Sequence, residues 1–250
     1  WGGKRKSLIP TEITDDIIEF VRHSKTNIVK ELLPLINLEF NLNITYSILY
    51  YFLQKNGVKK QLSVPPIKRD EFDFYKTPPK ATNALLRVEK FPGTRGIWDC
   101  CCGDGAIAKE ILRFGYKKVY ASDLIYRGYG EGGIDFLKYT GKSYDCIVSN
   151  PPYKYAKIFI QIAQMHCDKI AFLLRTSFLE SKSRRFLFLN QEFPLIKVYQ
   201  FSERISIYSG TANKNKKKNA GKTAYAWFIF EKKEKIKDKS YAGKPLIEWV

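Results

Sequence analysis

Two runs of this 250-residue chain carry the residue types that chemistry needs. The first is Asp145-Cys146-Ile147-Val148-Ser149-Asn150-Pro151-Pro152-Tyr153, an apolar stretch of strand character ending in a carboxamide, two prolines and an aromatic ring. The carboxamide oxygen and the proline carbonyl accept hydrogen bonds. The prolines stiffen the loop and lack the N–H that would repel a donor-bearing substrate, while Tyr153 adds a π-face for a planar group. The second run, Ile97-Trp98-Asp99-Cys100-Cys101-Cys102-Gly103-Asp104-Gly105-Ala106-Ile107-Ala108, reads as a strand end, a glycine loop and a helix start. Gly103 and Gly105 let the backbone approach a ligand that a Cβ would exclude. Further along, Asp123 in Ala121-Ser122-Asp123-Leu124 closes the next strand candidate, where an acidic side chain accepts hydrogen bonds from ribose hydroxyls. Asp135, in Gly133-Ile134-Asp135-Phe136-Leu137, opens the connection after that.

These runs are positioned by alternating elements. Strand candidates are Gly96 to Cys100, Lys118 to Ser122, Tyr144 to Ser149, Lys169 to Leu174, Ile196 to Phe201 and Ala224 to Phe230. Helix candidates lie between them at about 81–90, 105–115, 154–167 and 179–190. The alternation predicts an α/β, doubly wound, mostly parallel sheet with ligands at the carboxyl ends of its strands and a C-terminal antiparallel strand. The prolines of Val64-Pro65-Pro66 mark a boundary, giving domains at 1–64 and 65–250. The first is helical: Ile13 to His23 with Asp15 and Asp16 in its first turn, a second helix capped by Thr26 or Asn27, and a third capped by Asn43 or Thr45 and ended by Gly57. Three short helices with a basic flank form either a helix-turn-helix-like unit or a brace for the larger domain.

Composition bounds the partners. The chain has 43 Lys and Arg against 25 Asp and Glu, a net charge of +18, and such an excess suits a polyanion, with nucleic acid the foremost candidate. The run from Ser209 to Lys222, with Lys214, Lys216, Lys217, Lys218 and Lys222 among Gly, Ala, Asn and Thr, predicts a loop between two strands. It is either a solvated charge run or a phosphate-binding loop, and we expect the latter. No apolar run reaches bilayer length, so no membrane partner is expected. Nothing resembles a cleavable signal, and the expected location is the cytoplasm. Of the five cysteines, Cys100, Cys101 and Cys102 are consecutive and make a poor metal cage, and His23 and His166 have no metal-binding spacing, so no metal is expected.

Asn150-Pro151-Pro152-Tyr153, one strand beyond the glycine loop, resembles the Asp/Asn-Pro-Pro-aromatic motif of the S-adenosylmethionine-dependent amino-methyltransferases. Phe74-Tyr75-Lys76-Thr77-Pro78-Pro79 is similar to the aromatic-x-Thr-Pro run that precedes the glycine loop in bacteriophage-type DNA N6-adenine methyltransferases. The motif order matches that group over roughly 70–250, with further echoes at Leu173 to Glu180, Arg184, Ser202 to Ser206 and Ala226 to Lys232. The resemblance implies a Rossmann-like methyltransferase sheet and S-adenosylmethionine as cofactor. Tyr75, Thr77 and Pro78 would close over the cofactor's methionine end, which Asp99, Cys101, Gly103 and Gly105 would line. Asp123, beside Leu124, would take the ribose, and Asp135, beside Phe136, the adenine amino group. Asn150, next to the cofactor, would with Pro151, Pro152 and Tyr153 hold a target adenine swung out of the DNA duplex. One departure is that Cys101 and Cys102 stand where the group carries smaller residues.

The residue types suit that reaction. The lone pair of an exocyclic adenine amine is delocalised into the ring, so the nitrogen is a poor nucleophile. Accepting its two N–H groups on the Asn150 oxygen and the Pro151 carbonyl would hold it in line and draw it towards tetrahedral geometry. Nucleic-acid contacts are expected from the Lys214–Lys222 run, from Arg204, and from Thr45, Tyr46 and Ser47 at the start of the third helix. The alternatives are a methyltransferase acting on RNA adenine, cytosine N4 or a protein glutamine, and a non-catalytic DNA-binding protein that keeps the fold.

Overall fold

The computed structural model describes residues 9–24, 29–44, 49, 52–53, 56–58, 74–209, 223–237 and 241–250. The chain forms two compact units, 1–68 and 69–250. The Val64-Pro65-Pro66 boundary, Thr45, Tyr46, Ser47 and the lysines of the 214–222 run lie outside the described residues.

In the first unit, α1 (Thr14–His23) carries Asp15 and Asp16 in its first turn, where they complement the helix dipole, and buries Ile17 and Val21. α2 (Val29–Glu39) buries Leu32 and Ile36. Asn41, two residues beyond its end, has a left-handed φ of 47°, which fits a residue just past a helix, and the Leu42 N–H is bonded to the Asn37 carbonyl at 3.0 Å. Leu49, Phe52 and Leu53 are buried and helical, and Gly57 follows at φ 70° as a C-cap of the expected kind. The Val58 N–H reaches back to the Leu53 carbonyl at 2.8 Å.

The second unit is built on a seven-stranded sheet. Its strands are β2 (Ile97–Asp99), β3 (Val119–Ala121), β4 (Cys146–Ser149), β5 (Lys169–Arg175), β6 (Leu195–Gln200), β8 (Tyr225–Glu231) and β9 (Leu246–Trp249), in the order β3-β2-β4-β5-β8-β6-β9. Only β8 runs against its neighbours. β4, β8 and nearly all of β5 are buried throughout, as expected of strands covered on both faces. A two-stranded ribbon pairs β1 (Tyr75–Lys76) with β7 (Tyr208–Ser209).

Helices α3 (Pro79–Val88) and α4 (Ala106–Arg113) pack Leu85, Leu86, Ile107 and Ile111 into a core with Val148, Leu173 and Trp227. The Trp227 indole N–H donates to the Ala81 carbonyl at 2.8 Å, so even this large buried ring is fully satisfied. Next along, α5 (Ala156–His166) follows the Asn-Pro-Pro-Tyr loop.

This is the doubly wound, mostly parallel arrangement expected, with the antiparallel strand where Ala224 to Phe230 placed it. Two details differ. The 179–190 helix is replaced by two 3-10 turns and a one-turn helix, Arg185–Phe188. The Arg184 guanidinium donates to the carbonyls of Ser177, Phe178 and Glu180 and satisfies them in a folded-back turn. β9 was not foreseen: it is a four-residue edge strand, half exposed, with too little apolar pattern to read as one.

Candidate active site

The chain order reverses direction across the sheet between β2 and β4: β3 lies outside β2, whereas β5 lies outside β4. In open α/β sheets such a reversal leaves a crevice beyond the carboxyl ends of the two strands. Those ends are Asp99 on β2 and Ser149-Asn150 after β4.

Asp99 is fully buried. Its Oδ1 accepts the Ser149 hydroxyl at 2.7 Å, and Ser149 Oγ accepts the Cys101 N–H at 3.1 Å, so one serine ties the two strand ends together. Asp99 Oδ2 is buried with no hydrogen-bond partner. Burial pushes the carboxyl up to about 7; the Ser149 hydrogen bond opposes this, and the nearby Asp123 adds to it. A buried carboxylate oxygen without a donor is costly unless a cationic or donor-bearing ligand supplies one.

Asn150 shows the complementary arrangement. Its Nδ2 donates to the Tyr75 carbonyl at 3.1 Å and to Thr77 Oγ1 at 3.0 Å, which fixes the carboxamide plane. Its Oδ1 is buried and unpartnered. Tyr75, Thr77 and Asn150 are thus brought together, although 73 residues separate Thr77 from Asn150. Pro78 precedes the first turn of α3, and Pro151 is buried beside Asn150. The ring of Tyr153 packs against Tyr75 and Tyr225, with centroids 5.7 and 5.6 Å away. Burial drives its phenol well above the ordinary range.

The glycine loop is pinned from several sides. Asp123 Oδ2 accepts the Gly103 N–H at 2.9 Å, and its Oδ1 accepts the Ile125 N–H at 3.0 Å. Gly103 and Gly105 have φ of 54° and 81°, which an L side chain rarely adopts. A Cβ on Gly103 would lie 2.1 Å from the Phe74 ring, and one on Gly105 would lie 2.3 Å from Tyr129. Lys76 pairs with Asp104 at 2.6 Å, linking β1 to this loop, while Asp104 Oδ1 is also buried and unpartnered.

The remaining candidates are more dispersed. Asp135 Oδ1 caps the Leu137 N–H at 3.1 Å. Phe136 is a core residue, stacked on Phe159 at 5.1 Å and edge-on to Trp98. Leu124 is 37% exposed, and Arg204 is exposed between β6 and β7. Among the described residues no cluster of His, Cys, Asp and Glu could hold a metal ion, and no helix is long and apolar enough to cross a membrane.

Sequence reasoning missed Ser149, Phe74 and Tyr129. Ser149 could have been found as the polar residue that ends β4, next to the β2 end that carries Asp99. Tyr129 sits in the glycine-dense run Gly128 to Gly133, whose composition signals a close approach of backbone to something.

The fold has solved counterparts. A protein assigned as a class I S-adenosylmethionine-dependent methyltransferase, from Listeria monocytogenes, superposes with a TM-score of 0.50 at 12% identity, over 96% of this chain and 93% of that one. The fold is that of the Rossmann-like methyltransferases. A protein assigned as an RNA methyltransferase from Pyrococcus horikoshii gives 0.49 at 17% identity, over 68% of this chain and 93% of that one. A dimethyladenosine transferase from Plasmodium falciparum gives 0.45 at 16% identity, over 64% of each chain. No protein-family model matches the sequence, and no curated protein does.

Proposed function

We propose that this protein transfers a methyl group from S-adenosylmethionine to the exocyclic N6 amine of adenine in DNA. The observation that carries the reading is the Asn150 carboxamide: both donors of its amide are engaged in fixed hydrogen bonds, and its acceptor oxygen is buried and free. An amide oriented in this way is a preorganised dipole for a substrate N–H. The adjoining Pro151 carbonyl offers a second acceptor with no competing donor.

The residues fit the cofactor. Asp99 Oδ2 lacks a donor that the cofactor's ammonium would supply, and Asp123 lies at the next strand end, with the glycine loop between them. When bound, the cofactor supplies an electrophilic methyl on a sulfonium. The protein's part is positioning: Asn150 and Pro151 align the amine and favour the geometry in which its lone pair is released from the ring. No strong base is required, because the nitrogen becomes acidic only once alkylated.

A nucleic-acid substrate is favoured by the net charge of +18 and by the lysine run 214–222 on the connection between β7 and β8. The first unit contributes nucleic-acid affinity rather than chemistry in this reading, since every catalytic motif lies after residue 69. The same acceptor pair would serve adenine in RNA, so the test offers both. Purified protein is incubated with S-adenosylmethionine and either duplex DNA or RNA, and the digested nucleosides are analysed by mass spectrometry. N6-methyldeoxyadenosine is expected. Methylation confined to RNA, cytosine or protein would overturn the adenine-in-DNA assignment.

A further inference from the structure

A cavity of about 300 Å³ lies against the Asn-Pro-Pro-Tyr loop. Its lining combines the apolar and aromatic side chains of Tyr75, Tyr153, Leu174 and Phe178 with the cations Arg175 and Lys154. The two cations reach it from the ends of different elements. Arg175 is the last residue of β5, at the carboxyl edge of the sheet, and Lys154 lies in the turn between Pro152 and α5. The guanidinium sits 5.1 Å from the centre of the Tyr153 ring. Among the described residues neither Arg175 nor Lys154 has a carboxylate within ion-pairing distance. Arg184, also lining the cavity, differs: it is already committed to three backbone carbonyls.

We infer that this cavity seats the nucleotide bearing the reactive amine, with Arg175 and Lys154 holding its phosphate. Aromatic rings beside cations that have no carboxylate partner form a site for a planar, anionic ligand. An arginine held over a ring presents its donors in a plane suited to a phosphodiester. A protein glutamine would leave both cations unused, so the cavity selects the substrate class. The inference rests on reading Asn150 as the amine acceptor, because Tyr75 and Tyr153 belong both to the cavity wall and to the surroundings of Asn150.

The test measures binding of a short, fluorescein-labelled, adenine-containing single strand over a range of salt concentrations. It uses the full chain and the variants Arg175→Ala, Arg175→Lys and Lys154→Ala, with circular dichroism as the check on folding. Each alanine variant should bind about tenfold more weakly at low salt. Each should also flatten the slope of log K against log salt by about 0.7, the share of one phosphate on a single strand. Arg175→Lys should keep the slope while losing part of the affinity, because the charge remains and the planar fork does not. Binding of S-adenosylmethionine, followed by calorimetry, should not change.

An unaltered slope in both alanine variants would overturn the inference, as would a loss confined to cofactor binding. So would displacement of the strand from the full chain by inorganic phosphate at equal concentration of phosphate groups, which would mark a site for any free anion. The two readings fail separately. A full chain that methylates no adenine, yet whose Arg175→Ala variant flattens the slope, loses the proposed function and keeps the cavity. Methylation by a variant with unchanged binding does the reverse.

Discussion

The two edges of the same sheet treat their polar groups in opposite ways. At the amino ends of the strands, charges are paired. Asp145 accepts the Arg95 backbone N–H at 2.6 Å and its Nε at 2.8 Å, while Asp168 is shared by Arg95 and Lys232. Lys169 sits between Glu89, at 2.6 Å, and Glu231, at 3.2 Å, and Tyr199 donates to the other oxygen of Glu89 at 2.7 Å. At the carboxyl ends, Asp99 Oδ2, Asp104 Oδ1 and Asn150 Oδ1 are buried without partners. Paired charges hold one edge together, and the unpaired acceptors at the other are where the proposed function puts its ligands, at a site where stability would be given up for function.

The two edges also carry opposite pH signatures. Burial opposes ionisation of Asp145 and Asp168, but Arg95 and Lys232 respectively prevail and hold their carboxyls below the usual range. That contribution to stability is present above the ordinary carboxylate pKa and is lost as pH falls through the lowered values. Asp99 behaves the other way, being raised to about 7. The folded protein keeps a proton there that the unfolded chain releases near pH 4, so stability declines as pH rises from about 4 and the loss is complete above about 7.

The largest effect should come from the paired edge. Lys169→Met strands two buried carboxylates and should cost about 3–5 kcal/mol of stability in chemical denaturation. A cost below 1 kcal/mol would show that the network is not what holds this edge. Next, Asp99→Asn should stabilise the protein at pH 8 by up to about 4 kcal/mol, with the gap closing towards pH 4. A gap that does not vary with pH would remove the distinction between the edges. Third, Asn150→Ala should lower kcat by about 10²–10³, some 2.7–4 kcal/mol in the barrier, with little change in melting temperature. Retention of most of kcat would mean that the free oxygen is not the substrate's acceptor.

The residues of the free edge were legible in the sequence and the ion pairs of the other edge were not, because Arg95, Asp145, Asp168 and Lys169 meet their partners only once the strands are assembled. The six strands carrying Trp98, Tyr120, Val148, Phe172, Val198 and Trp227 were foreseen to within a few residues, because the central strands, buried on both faces, read as unbroken apolar runs. Asp99, Gly103, Asp123 and Asn150 stood out through their spacing. What those residues do to one another did not. Thr77 and the Tyr75 carbonyl orient Asn150 across more than 70 residues of chain, and no local pattern encodes such a contact. Asp123 was expected to serve a ribose; that its two oxygens also take backbone N–H groups, one from the glycine loop, could not be read from spacing. Phe136 was expected beside a ligand, and its ring is stacked in the core because Trp98 and Phe159 enclose it. The 179–190 segment failed as a helix for a reason equally hidden, the capture of three carbonyls by Arg184.

The central claim is that the free acceptors at the carboxyl edge are a ligand site, and the Asp99 carboxylate tests it most directly. Isothermal calorimetry at pH 8 would compare S-adenosylmethionine binding to the native chain and to Asp99→Asn, a substitution that keeps the shape and removes the charge. The account predicts saturable binding by the native chain and a loss of at least about tenfold in the variant, the worth of one charge-assisted hydrogen bond. Equal dissociation constants for the two proteins, or no binding by either, would contradict it.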